Sequence, residues 1–262
     1  MSTPTQWFPY RNGESKFELF SFPHAGAGPT AFNVLREALS QSDVAVSPAV
    51  LPGRGRRIRE VPHQDMDSLL AEFEDMILRD KYAMFSGPYG LLGHCSGALI
   101  AYEIAKILLR SPCASPQLLA VCSCLPPPVI RDTGTGRLPT KELLTRTALL
   151  GGTPVTLMDD RDFLEVMERP LRADWRLYDG YAYQASPRLP IPILAVRGAA
   201  DPDISAAALR LWQDHTSREF VSKEVDGGHW TLTQAGASVL AREIPAILAE
   251  TAMPRWQGGA DG

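Results

Sequence analysis

The run Gly93-His94-Cys95-Ser96-Gly97 constrains this chain more than any other stretch. It has the G-x-S-x-G spacing of a nucleophile elbow, with cysteine in the central place. The preceding Tyr89-Gly90-Leu91-Leu92 reads as a short buried strand, and Ala98 to Ala105 reads as a helix. A strand that turns this sharply into a helix leaves no room for a Cβ on the flanking residues, so glycine stands there. The turn lifts the central side chain above the sheet edge. The N–H of Ser96 then points at the same spot from the helix N-terminus. A thiol so held is more nucleophilic than a hydroxyl, and a nearby base raises its thiolate fraction. Ser96 itself is one place out of frame and is not read as the nucleophile. Against this stands plain burial, since a free cysteine is a small hydrophobe that most often only fills space. The decision therefore rests on partners elsewhere in the chain.

Strand and helix patterns alternate along the sequence. Phe17 to Phe22 reads as a strand, followed by the turn-rich Pro23-His24-Ala25-Gly26-Ala27-Gly28-Pro29 and a helix over Ala31 to Leu39. Val44 to Leu51 reads as the next strand, broken by Pro52-Gly53-Arg54-Gly55. Apolar residues at 69, 70, 73, 76 and 77 give Asp67 to Lys81 a helical period. Leu118 to Cys124 is a third inner strand, with Cys122 and Cys124 expected on one face of it, in the core. The rhythm then breaks. Residues of about 126 to 188 carry helical patterns (Thr140 to Leu150, Arg161 to Glu168, Leu171 to Tyr183) without an inner strand, as expected of a helical insertion over the sheet edge. Strands return at Pro190 to Gly198 and Phe220 to Val225, and Ala235 to Glu250 is a closing helix. This order predicts an α/β fold, a mostly parallel sheet with helices on both faces, as one domain over residues 1–262. The Gly-rich stretch from Met253 to Gly262 is expected to be mobile.

A nucleophile needs a base, and the base needs an orienter. Asp201 follows the strand ending at Val196, and His229 follows the strand ending at Val225, both just past strand carboxyl ends where open α/β sheets place their sites. The order Cys95, Asp201, His229 is that of nucleophile, acid and histidine in hydrolases built this way. The bland alternatives are a helix cap for Asp201 and a surface loop for His229. His94 neighbours the nucleophile but is expected to point elsewhere, while His63 and His215 lie in polar surroundings and are expected to be solvated. His24 opens the loop from which a second oxyanion donor should come, with the Ala25 N–H as the candidate beside that of Ser96.

The rest of the composition narrows the class. A formal charge of −4 argues against nucleic acid as a general partner. No run of about eighteen apolar residues is present, so no membrane span is expected. Met1 to Glu14 has no apolar run of the kind a secretory signal needs. Four cysteines, at 95, 113, 122 and 124, make neither zinc spacing nor a disulfide framework. No metal is expected, and a reducing, cytoplasmic location suits a free catalytic thiol.

Taken together, Phe22-Pro23-His24-Ala25-Gly26, Pro52-Gly53-Arg54-Gly55, Gly93 to Ala98, Leu149-Leu150-Gly151-Gly152-Thr153-Pro154, Leu171-Arg172-Ala173-Asp174-Trp175 and Gly227-Gly228-His229-Trp230 resemble the type II thioesterases of polyketide and nonribosomal peptide synthesis. The resemblance spans roughly residues 17 to 250. It implies an α/β-hydrolase fold with a helical lid, and hydrolysis of acyl groups from the phosphopantetheine thiol of acyl or peptidyl carrier proteins. It further implies a triad of Cys95, Asp201 and His229, with the Ala25 and Ser96 amides as oxyanion hole. No cofactor is implied beyond the phosphopantetheine that carries the substrate, and a monomer is expected. The departure is Cys95, where the family usually has serine. An acyl-cysteine is itself a thioester, reactive toward water, thiols and amines, so acyl transfer stays open beside hydrolysis. A cysteine hydrolase resembling the dienelactone hydrolases and a non-enzymatic scaffold are the other readings. Arg54, Arg56, Arg57 and Arg59 follow a strand end and are either a solvated charge run, with Arg54 held in a turn, or a docking rim for an acidic carrier.

Overall fold

The computed structural model describes residues 3–11, 15–150 and 161–252. Six strands form one parallel sheet: β1 (Phe17–Phe22), β2 (Val44–Pro48), β3 (Tyr89–His94), β4 (Leu119–Cys122), β5 (Ile193–Gly198) and β6 (Phe220–Val225). Their order is β2-β1-β3-β4-β5-β6, all pairs parallel. The chain steps outward from β1 to β2 and then crosses back to β3. The carboxyl ends of β1 and β3 thus lie side by side at the point where the order reverses, with Phe22 opposite Gly93. Ligands of open α/β sheets bind at such a crevice.

Strands β1, β3, β4 and β5 are buried throughout, because helices cover both faces. On one face Phe20, Phe22, Leu91 and Val121 pack with α3 (Met66–Arg79) and α4 (Ser96–Arg110). On the other, Phe17, Leu19, Leu92 and Leu194 pack with α2 (Asn33–Ala38) and α8 (Gln234–Ala252). The alternation of β1 side chains between the two clusters follows from the period-two pleat. Helix α3 starts where Asp65 accepts the Ser68 N–H at 2.8 Å, and it buries Met66, Leu69, Phe73, Met76 and Ile77. Edge strand β6 is only half covered.

Several boundaries differ from the sequence expectation. Strand β2 ends at Pro48, because the Val50 N–H turns to the Trp7 carbonyl of the short helix α1 (Pro4–Trp7). The helix expected from Ala31 begins as a 3-10 turn over Pro29–Phe32. Strand β4 stops at Cys122, since Ser123 adopts a left-handed φ of 48°. That turn cancels the alternation, so Cys122 and Cys124 are both buried but in opposite clusters, not on one face. Between β4 and β5 lie α5 (Thr140–Leu149) and α6 (Arg161–Asp179). The two helices expected on either side of Pro170 are one continuous helix. The carbonyl that Pro170 leaves unpaired belongs to Val166, which is 55 % exposed, so solvent can take that bond. Helix α7 (Ala206–Arg210) follows β5. The expectations for Gly151 to Pro154 and for the Met253–Gly262 stretch lie outside the described residues.

Candidate active site

At the end of β3 the backbone of Cys95 takes φ 54° and ψ −125°, a region side chains avoid. Strain of this kind costs about 1–3 kcal/mol and is held by the surroundings. Here the Cys95 N–H donates to the Cys122 carbonyl at 2.8 Å, and the Ala98 N–H donates to the Cys95 carbonyl at 2.9 Å. A Cβ on Gly97 would overlap the carbonyl oxygen of Phe22, and one on Gly93 would overlap that of Gly97. The elbow is thus wedged backbone to backbone against β1. Cys95 is half-buried, and Ser96 opens α4 as a buried residue.

Two loops bring the partners. The Asp201 carboxylate accepts the N–H groups of Asp203 and Ile204 at 2.9 and 3.2 Å, which fixes its orientation. Its other oxygen lies 3.0 Å from His229 Nδ1. An ionised carboxylate can only accept, so Nδ1 carries the proton and donates. The loops also touch directly: Ala199 and Ala200 donate N–H groups to Val225 and Gly227 at 2.8 and 2.9 Å, and Gly198 leaves no space for a Cβ beside the Gly228 carbonyl. His229 Nε2 is buried and faces the Cys95 sulfur. Burial opposes a charge on this ring. The charge of the nearby Cys95 sulfur and the hydrogen bond to Asp201 prevail, and His229 is pushed up to about 10. Burial would raise Asp201, yet His229 and the two amides hold it below the usual carboxylate value.

Cys95 and His229 share a cavity of about 220 Å³ with Ser123, Leu125, Trp175, Tyr178 and Ile204. A larger depression of about 760 Å³ lies at the other end of the sheet, around Gln117, Pro192 and Arg218, away from Cys95 and His229. The sequence also matches the thioesterase domain model over residues 17–248. The chain belongs to the thioesterase domain family. Linear gramicidin dehydrogenase LgrE of Brevibacillus parabrevis is 29 % identical over 91 % of both chains. RedJ, a thioesterase from the prodiginine biosynthetic pathway of Streptomyces coelicolor, superposes with a TM-score of 0.82 at 28 % identity, covering 94 % of this chain and 100 % of its own. BorB, the type II thioesterase of the borrelidin biosynthetic cluster, does so with 0.76 at 26 % identity, covering 96 % and 98 %. The fold is therefore the α/β-hydrolase fold of thioesterases. The name of LgrE speaks of a dehydrogenase, while the family and both solved structures speak for thioester hydrolysis.

Among the other histidines of this thioesterase, His94 points away from Cys95, as expected: it is fully buried, and its Nε2 lies 3.2 Å from the His229 carbonyl, so it holds the loop that carries His229. Burial, then the charge of His229, lowers His94 to about 3, so it stays neutral. His24 is lowered likewise, mainly by burial, and its ring meets Trp230 edge-on at 4.1 Å. His63 is not solvated but reaches Ser68 and Glu72 at 3.1 and 2.5 Å. His215 is 7 % exposed against Tyr102 and Trp212. Both correct a reading made from polar sequence neighbours alone. The arginine cluster also divides. Arg54 pairs with Asp174 inside the fold, and the buried Arg57 pairs with Glu60 and Glu72, while Arg56 and Arg59 are exposed. A docking rim can therefore use only Arg56 and Arg59 of the four.

Ala25 lies in a turn closed by the Ala27 N–H on the His24 carbonyl at 3.0 Å. Gly26 at φ 75° makes it a type II turn, whose own hydrogen bond does not use the Ala25 N–H. Sequence reasoning missed three contributors: His94, the cavity walls Trp175 and Tyr178, and Asp174. The signals were Leu171-Arg172-Ala173-Asp174-Trp175 and the three-residue spacing of Trp175 and Tyr178, which puts both on one helix face.

Proposed function

We propose that this thioesterase releases acyl groups from the phosphopantetheine thiol of acyl or peptidyl carrier proteins in polyketide or nonribosomal peptide assembly, through an acyl-Cys95 intermediate. The observation that carries the reading is Cys95 held at a strained elbow beside a histidine that Asp201 orients and that favours its charged form. The Cys95 thiolate adds to the thioester carbonyl. The N–H groups of Ala25 and Ser96 receive the oxyanion, and their alignment is supported by the type II turn and by the α4 N-terminus. As the tetrahedral species collapses, the carbon–sulfur bond to the carrier breaks and its thiolate takes the Nε2 proton of His229. Neutral His229 then removes a proton from water, which attacks the acyl-cysteine. The acid leaves, and the thiolate–imidazolium pair is restored. Exchange of one thioester for another is nearly balanced in energy, so the protein need only lower the barriers. The described helices between β4 and β5, α5 and α6, act as a lid that shapes the acyl pocket, supported by Trp175 and Tyr178 of α6 in the cavity wall. In this reading the protein works in a reducing compartment as a monomer, without cofactor or metal.

The test is direct. On mixing with an acyl-phosphopantetheinyl carrier protein, the intact-protein mass of the parent enzyme should rise by one acyl group. Cys95→Ala should show no adduct and no turnover. Turnover that survives in Cys95→Ala removes the proposal. Adding a thiol or amine acceptor separates transfer from hydrolysis by the product formed.

A further inference from the structure

Helix α6 does more than roof the cavity, because it touches the turn that bears Ala25. Leu171 and Asp174, three residues apart on one face, both reach Gly26. A Cβ added at Gly26 would come within 3.1 Å of Leu171. The Gly26 N–H donates to Asp174 Oδ2 at 2.8 Å. Asp174 is in turn gripped by Arg54, whose Nη1 and Nη2 donate to Oδ2 and Oδ1 at 2.6 and 2.7 Å. Arg54 Nη1 also donates to the Ala27 carbonyl at 3.0 Å. Both side chains are about nine-tenths buried or more, at 5 % and 6 % exposure. Three chain segments, from the loops after β1 and β2 and from α6, thus meet at one carboxylate.

The geometry points to Asp174, held by Arg54, as a positioning residue for the oxyanion-binding turn. The peptide between Ala25 and Gly26 is the central peptide of the type II turn. Peptide planarity means that holding the Gly26 N–H holds the whole unit. The competing type I turn reverses this peptide, and the Ala25 carbonyl would then face the Asp174 carboxylate, which repels it. Asp174 therefore keeps one turn type and, with Arg54 on the Ala27 carbonyl, anchors the turn that carries the Ala25 N–H. It also occupies the Gly26 N–H, which leaves Ala25 as the donor of this turn for a developing negative charge. Because Asp174 shares α6 with Trp175 and Tyr178, the seating of the helix over substrate and the setting of the turn are one event.

The inference rests on the acyl-Cys95 reading, and its test keeps the two apart. Two reactions of Cys95 are compared in Asp174→Ala and Asp174→Asn: acylation by a small acyl thioester, followed by mass, and alkylation by iodoacetamide. Both need the thiolate, but alkylation displaces iodide and forms no oxyanion. Asp174→Ala should slow acylation about 100-fold, somewhat less than deletion of an oxyanion donor, while alkylation stays within about twofold. Asp174→Asn keeps an oxygen for the Gly26 N–H and should lose less; it also decides the matter if the alanine variant does not fold. Equal loss in both reactions makes the pair merely structural and overturns the inference, as does unchanged acylation in both variants. Failure of the parent enzyme to acylate at Cys95 sinks the underlying reading instead.

Discussion

Around Cys95 backbone meets backbone. Gly97 lies against the Phe22 carbonyl, Gly93 against Gly97, and Gly198 against the Gly228 carbonyl, each with no space for a methyl group. Around Trp175 and Tyr178 side chains hold the structure instead. Helix α6 is tied down by Asp174 on Arg54 and Gly26, by Arg172 on the carbonyls of Gly136 and Leu138, and by Asp179 on Thr133 and Gly136. Its apolar contacts are the small cluster of Ala25, Leu143, Leu144, Leu171 and Trp175 and, near its carboxyl end, Leu177 in the main core. Main-chain contacts at closest approach cannot yield, so the sheet edge keeps Cys95 and His229 in register. Side-chain anchors can be released one at a time, which suits the cover proposed for α6.

The largest effect should come from the sheet edge. Gly97→Ala forces β1 away from the elbow and is expected to cost about 3 kcal/mol or more, read from urea unfolding. A fully stable Gly97→Ala protein would show that the elbow is softer than its contacts say. Next is His229→Ala, expected to slow thioester cleavage about 10²- to 10⁴-fold while leaving strand packing intact. The same residue sets a pH dependence. Its pKa is raised from 6.5 to about 10, so the stability it contributes is fully present below 6.5 and is lost as pH rises through 10. The difference in Tm between the parent and His229→Ala should therefore shrink from pH 6.5 to pH 10, and a difference that grows would contradict the charge assignment.

A smaller change is expected from Leu171→Ala, about 2 kcal/mol confined to the cover. Hydrogen exchange should quicken in α5 and α6 while β1 to β6 keep their protection. Spread of the change into the strands would mean that cover and sheet open as one unit. The smallest effect belongs to the exposed arginines. Reversing Arg56 and Arg59 to glutamate should lower kcat/KM for a carrier-bound acyl group several-fold at low salt, and leave a small neutral thioester unaffected. Equal values for both substrates would return these two arginines to ordinary surface.

Much of the sheet edge is legible in the sequence, because its requirements are local. An elbow demands glycine at Gly93 and Gly97 and an apolar strand before it. Asp201 and His229 follow strand ends announced by the apolar run of Ile193 to Val196 and the β-branched and aromatic pattern of Phe220 to Val225. Other features rest on contacts between distant segments and leave no local trace. Arg54 and Asp174 are 120 positions apart, and His94 and the His229 carbonyl are 135 apart. Whether an arginine in Pro52-Gly53-Arg54-Gly55-Arg56-Arg57 faces solvent or a buried carboxylate depends on what the rest of the chain folds against it. The same holds for His215, which meets Tyr102 of α4 across the fold, while Cys122 and Cys124 are sent to opposite sides by one left-handed residue. Sequence by itself determined the α/β class, the elbow and the places of Cys95, Asp201 and His229 just past strand ends, since strand period and turn sterics act over a few residues. Only the tertiary structure decided which side chains hold these groups in place, because burial and pairing are properties of surfaces brought together from across the chain.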